Sequence, residues 1–155
     1  MIIRRMREAD LEMVVPIENA CFSLPWSRQG FLDSLNGGDA IFLVAESEEQ
    51  CQASALEKEI MGYVGMIVSV DEGEITNVAV AERFRGEGVG EALMGAIIRE
   101  AKESALKRIV LEVRVSNTPA IELYKKVGFT SLGIRKNFYE FPKEDAGIMV
   151  WEDLC

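Results

Sequence analysis

Ile75-Thr76-Asn77-Val78-Ala79-Val80, then a polar step, then Arg85-Gly86-Glu87-Gly88-Val89-Gly90 running straight into Glu91-Ala92-Leu93, is the stretch on which the fold turns. A β-branched run that feeds a glycine-rich turn and then a helix outlines an anion site. Glycine lets the backbone approach a ligand closely, and the first helical turn leaves N–H groups unpaired at the positive end of the dipole. Phosphate or pyrophosphate is the natural guest, so a nucleotide-like cofactor is expected here. Spacing excludes two common phosphate loops. A Walker loop needs Lys and then Ser or Thr after its last glycine, and Glu91-Ala92 stand there instead. A dinucleotide fingerprint needs G-x-G-x-x-G, whereas these glycines fall at 86, 88 and 90.

Composition bounds the rest. At 155 residues with 48% hydrophobic content the chain is expected to form one globular domain, residues 1–155, with a single good core. No apolar run approaches the length of a membrane span. The beginning, Met1-Ile2-Ile3-Arg4-Arg5, lacks the apolar centre of a secretory leader and reads as a first strand, which implies a cytoplasmic protein. Cys21, Cys51 and Cys155 are odd in number and far apart, so neither a disulfide framework nor a metal site is expected. Histidine is absent altogether, which removes Ser-His-Asp, Cys-His and H-E-x-x-H chemistry together. Proton transfer must then use Glu, Asp, Tyr, Lys, Cys, water or a terminus. A net charge of −9 argues against direct nucleic-acid binding. It favours a cationic substrate through steering, or serves solubility alone.

Local signals place the elements. Asp10 is expected to cap a helix over residues 11–21, kinked at Pro16, and Ser27 a short one over 28–35 ended by Gly37-Gly38. Residues 41–45 read as a strand, and the acidic, aperiodic residues 46–59 as a loop. Residues 60–70 and 74–80 make an antiparallel hairpin around Asp71-Glu72-Gly73. The main helix covers 89–105, with Val89, Leu93, Ile97 and Ala101 on one face. A strand over 108–115 follows, then a helix capped by Thr118 with Pro119 first and Gly128 at its end. Residues 130–138 and 146–154 make a final strand pair. Hairpins at both ends and helices between central strands imply a mixed α/β (α+β) sheet covered on both faces.

Arg85-x-x-Gly88-x-Gly90 also fits the R/Q-x-x-G-x-G/A signature of the GNAT acetyltransferase superfamily. Leu111-Glu112-Val113-Arg114-Val115-Ser116-Asn117, with Ala120-Ile121-Glu122-Leu123-Tyr124 and Gly128-Phe129, resembles that superfamily's C-terminal half. More narrowly it resembles the bacterial ribosomal-protein-alanine N-acetyltransferases. So do Leu24-Pro25-Trp26-Ser27, the tail from Gly133 through Tyr139, and Glu144-Asp145-Ala146. The resemblance spans nearly the whole chain, in order. It implies a sheet of about seven strands splayed in the middle, where acetyl-CoA and acceptor meet. The acceptor it implies is a basic protein or peptide N-terminus, the alanine of ribosomal small-subunit protein eighteen. A lysine or polyamine acceptor, or a non-catalytic acyl-CoA-binding module, are the other readings. A monomer or weak homodimer without membrane partners is expected.

Acetyl transfer to an amine needs a neutral amine, a donor for the developing oxyanion and a proton for the leaving thiolate. The resemblance puts Glu112 in the place of the base and Tyr124 in that of the acid. Alternation sets Glu112 on one strand face with Val110 and Arg114, where the other reading of the carboxylate is an ion pair with Arg114 or another cation. For Tyr124 the other reading is core packing. By resemblance, Arg85, Gly86, Glu87, Gly88, Val89 and Gly90 hold the pyrophosphate, the backbone of Val78 and Val80 pairs with the pantetheine arm, and Ala79 between them belongs to the same cofactor site. Asn117 lies near the cofactor or simply caps a turn. Trp26 and Tyr139 wall the acceptor groove, although a Trp after Pro is equally a hydrophobic plug. Two departures bear on the acceptor: Phe138 replaces a common tyrosine, and residues 46–59 are long and acidic.

Overall fold

The computed structural model describes residues 1–50 and 58–154. Seven strands form one sheet in the order β1-β2-β3-β4-β5-β7-β6. They are β1 (Ile2–Arg5), β2 (Ala40–Gln50), β3 (Lys58–Ser69), β4 (Glu72–Val80), β5 (Arg108–Arg114), β6 (Thr130–Glu140) and β7 (Lys143–Glu152). The helices are α1 (Leu11–Cys21), α2 (Arg28–Gly37), α3 (Val89–Glu103) and α4 (Thr118–Lys126). Every neighbouring pair is antiparallel except β4 with β5, the pair that α3 connects. Parallel neighbours require such a crossover. Two apolar clusters cover the sheet. On one face α3 and α4 bury Leu93, Met94, Ile97 and Tyr124 against Val64, Ile109 and Leu111. On the other, α1 and α2 bury Leu11, Val14 and Phe31 against Phe42, Val44 and Tyr63. Among the described residues no helix is long and apolar enough to cross a membrane.

Local chemistry explains where the elements differ from the sequence expectation. The acidic residues 46–50 continue β2, and Lys58 and Glu59 begin β3; residues 51–57 lie outside the described range. Opposite charges across strands make this possible: Glu46 pairs with Arg4 at 2.5 Å and with Lys58 at 3.9 Å. The β3–β4 turn is Val70-Asp71, with Val70 at φ 57°, so Glu72 and Gly73 already belong to β4. Asp10 precedes α1 but makes no side-chain cap to it. Its carboxylate instead accepts from the Arg4 guanidinium at 2.8 Å and the Arg7 N–H at 2.7 Å. Asn117, not Thr118, caps α4 by accepting from the Ala120 N–H at 3.3 Å. Ser27 caps α2 as expected, Gly38 ends it in the left-handed conformation, and Pro16 sits inside α1 without breaking it. The last strand pair is longer than the periodicity predicts, while α3 stops at Glu103.

Phe31 is fully buried and rings it with Trp26, Phe42 and Tyr63, whereas Leu132 on the edge strand β6 is 58% exposed. Phe31→Ala is therefore expected to cost about 3–5 kcal/mol in urea unfolding, and Leu132→Ala less than about 0.5 kcal/mol.

Candidate active site

The sheet opens between β4 and β5. Their pairing lasts three rungs, from Glu72↔Arg108 to Glu74↔Val110, after which the strands part. Just there β4 carries a bulge: Met66 faces Ile75, Gly65 faces Asn77, and Thr76 is the extra residue between. A bulge bends its strand and turns side chains to the other face. Ile75 accordingly packs with the α3 cluster, whereas Ala79 packs with the α1 cluster and Val78 and Val80 return to the α3 side.

A cleft of about 1060 Å³ runs from this gap to the start of α3. Val78, Ala79 and Val80 form one wall, Tyr124 of α4 and Asn117 at its cap form the other, and Arg85, Gly86, Gly88, Val89 and Gly90 close its end. Gly86 and Gly88 sit at φ +82° and +81°, a region that L side chains rarely adopt, and a Cβ at either would meet nothing within 4 Å. The turn is thus an open cradle whose backbone is bare. Gly88 offers no side-chain cap to α3, so the first N–H groups of that helix are left to a ligand or to water. Gly90 serves packing instead, since a Cβ there would lie 3.0 Å from Leu123. Arg85 donates from Nε to the Val80 carbonyl at 3.2 Å, tying the turn to β4. Glu87 is exposed and, alone of the cofactor residues predicted, does not line the cleft.

Tyr124 is 6% exposed, yet no described residue hydrogen-bonds to its hydroxyl. Burial, and then the charge of Tyr139, push its phenol well above the ordinary range. It is held protonated. The sequence reading missed Cys21, Phe22, Lys125 and Lys126, which also line the cleft. The two lysines directly follow Tyr124, and that adjacency was the available signal.

Glu112 lies on the other face of β5, opposite Leu111 and Val113, which join the α3 cluster. It does not line the cleft. Burial and the nearby Glu74 push its carboxyl up, and Arg135 at 3.6 Å offsets part of that. The cation beside Glu112 is therefore Arg135. Arg114 is engaged elsewhere, with Glu144 at 3.2 Å, the Pro142 carbonyl at 2.8 Å and the Tyr139 ring at 4.3 Å. Tyr139 is half-buried, and its phenol is pushed up by burial and by Glu112, with Arg114 opposing. Glu112 and Tyr139 are thus electrostatic neighbours on one face while Tyr124 stands in the cleft. Trp26 packs on Phe31 at 5.3 Å and Phe42 at 5.9 Å and does not line the cleft.

One buried charge had no place in the sequence reading. Glu18, 2% exposed, accepts from the Tyr63 hydroxyl at 2.5 Å, from Asn77 Nδ2 at 3.2 Å and from the Trp26 N–H at 2.9 Å. Its signal was its spacing: it falls on the same buried face of α1 as Leu11 and Val14.

The sequence pattern of the acetyltransferase (GNAT) family matches residues 11–129. A Bacillus subtilis protein provisionally named [ribosomal protein bS18]-alanine N-acetyltransferase is 38% identical over 148 residues, covering 95% of this chain and 92% of that protein. The [ribosomal protein bS18]-alanine N-acetyltransferase of Haemophilus ducreyi is 34% identical over 151 residues, covering 96% and 97%. The crystal structure of the ribosomal-protein-S18-alanine N-acetyltransferase from Escherichia coli superposes with a TM-score of 0.83 at 28% identity, covering 97% and 92%. The chain belongs to the GNAT acetyltransferase family.

Proposed function

We propose that this protein, working as one acetyltransferase domain, transfers acetyl from acetyl-coenzyme A to the N-terminal alanine α-amine of ribosomal small-subunit protein eighteen. The observation that carries the reading is the β4/β5 gap, with a phosphate-ready turn at one end and a raised carboxylate and a protonated phenol at its sides. The named activity of relatives matched over nearly the whole chain supports the acceptor. The net charge of −9 suits a basic partner. The setting is the cytoplasm, without membrane or nucleic-acid contact, and the enzyme acts as a monomer or weak homodimer.

The cleft fits the cofactor on its own chemistry. The bare N–H groups at Gly86 to Gly90 suit a pyrophosphate, with Lys125 and Lys126 adding positive charge at the cleft wall. The edge of β4 beyond Glu74 has no β5 partner, so the backbone groups of Val78 and the Val80 N–H lie open to an extended amide-bearing arm past Ala79, while the Val80 carbonyl accepts from Arg85 Nε. Asn117 borders the same space. Bound acetyl-coenzyme A supplies an activated thioester. Glu112, deprotonated, takes the proton of the incoming amine directly or through water, and its raised carboxyl makes it a better base than an exposed one. Tyr124 Oη holds a proton where a departing thiolate needs one. Tyr139, Arg114 and Trp26 border the acceptor side.

Incubation with acetyl-CoA and a basic peptide bearing an N-terminal alanine and an internal lysine, followed by mass spectrometry, should place acetate on the α-amine. Acetate on lysine alone, or none despite cofactor binding, would overturn the reading. In the same assay Tyr124→Phe should lower kcat about 100-fold while leaving acetyl-CoA affinity intact. The acid limb of the wild-type kcat profile should lie above pH 4.5, because Glu112 must lose a proton whose affinity is raised from that value. Glu112→Gln should abolish that limb and lower kcat about 100-fold or more.

A further inference from the structure

Glu18 is costly where it stands. Its carboxylate is 2% exposed, and among the described residues no lysine or arginine pairs with it. An apolar side chain on the face shared with Leu11 and Val14 would avoid that desolvation. Ordinary packing does not explain the charge. Its connections do. Oε2 takes the N–H of Trp26, in the loop of residues 22–27 between α1 and α2, while Oε1 takes Nδ2 of Asn77, directly after the β4 bulge. Thr76, the extra residue of that bulge, donates in turn to Asn77 Oδ1 at 2.8 Å.

Each end of this chain of bonds sits on a segment that reaches the cleft. Cys21 and Phe22, where the α1–α2 loop begins, face it from one side; Val78 to Val80, which follow Asn77, face it from the other. The loop has no regular structure of its own, and Leu24 at its centre is 66% exposed. A single carboxylate with two acceptor oxygens spans from the loop to the bulged strand. Glu18 itself does not line the cleft, and both its oxygens are engaged, so it is not placed to touch a substrate.

We propose that Glu18 is a positioning residue that clamps the α1–α2 loop, with Trp26 of the proposed acceptor side, to the β4 bulge and so fixes the acceptor side against the cleft. This rests on the reading of the site as an N-terminal acetyltransferase. Glu18→Gln would not break this chain: its oxygen can stay on the Trp26 N–H while the Asn77 amide turns, Oδ1 to the glutamine nitrogen and Nδ2 to the Thr76 hydroxyl. Glu18→Leu removes both acceptor oxygens and so detaches the loop from the strand. Phenylalanine at position 63 removes a donor from the same carboxylate but leaves both walls attached.

The test compares wild type, Glu18→Leu and Tyr63→Phe with the alanine-terminated peptide, reading KM for peptide, kcat, and acetyl-CoA affinity by calorimetry. Glu18→Leu should raise the peptide KM about tenfold or more, a larger change than in kcat or in acetyl-CoA affinity. Tyr63→Phe should leave the peptide KM within about twofold. An unchanged KM in Glu18→Leu, or equal increases in both variants, would overturn the clamp while leaving the proposed reaction intact. A wild type that acetylates no peptide would overturn the reaction, and the clamp with it. Should Glu18→Leu not fold, Asn77→Ala cuts the β4 end alone and carries the same expected and contrary results.

Discussion

The parting of β4 from β5 is the constraint on which everything else depends. Three rungs of parallel pairing hold the two halves of the sheet together, and β5 then continues with β7 as its remaining neighbour. Past Glu74 the edge of β4 loses its ladder. An unsatisfied buried backbone group costs about 1–3 kcal/mol, so such an edge persists in a folded core only where solvent or a ligand can reach it. The bulge at Thr76 belongs to the same device. It bends β4 away and hands its side chains to new faces, so Val78 and Val80 meet the cleft while Asn77 and Ala79 meet the α1 side.

The same geometry sets the electrostatics of the proposed site, which holds no histidine. The gap brings a partly buried carboxylate near a second carboxylate, which lifts Glu112 towards the useful range for a base. Burial acts in the same direction on Tyr124, keeping its proton on. Tyr124 of α4 stands in the cleft, and Glu112 lies on the face of β5 turned away from it. Arg114 braces this end of the sheet by joining the end of β5 to the β6–β7 hairpin through Glu144 and two carbonyls.

Much of this was legible in the order of residues, for physical reasons that differ from place to place. The run from Ile75 to Gly90 announced itself because β-branched periodicity, glycine spacing and helix onset all agree there. The caps were half legible. Ser27 acts as expected, but Asn117 outcompetes Thr118, and Asp10 is claimed by Arg4 from another element. Residues 46–50 misled because their strand state depends on charges brought from β1 and β3, which no local window contains. The neighbour of Glu112 was open for the same reason: Arg114 is closer in sequence, yet Arg135 arrives through the β6–β7 pairing. Glu18 was hidden because a glutamate on a helix is ordinarily read as solvated, and its partners come from β3, β4 and the α1–α2 loop.

If cofactor and acceptor meet across the parted strands, both must be bound together before acetyl moves, with no acetylated form of the enzyme between. Initial velocities measured while both acetyl-CoA and the alanine-terminated peptide are varied test this directly. Intersecting double-reciprocal lines, with no acetyl adduct on the protein by mass spectrometry, are the expected result. Parallel lines together with an acetylated enzyme would contradict it.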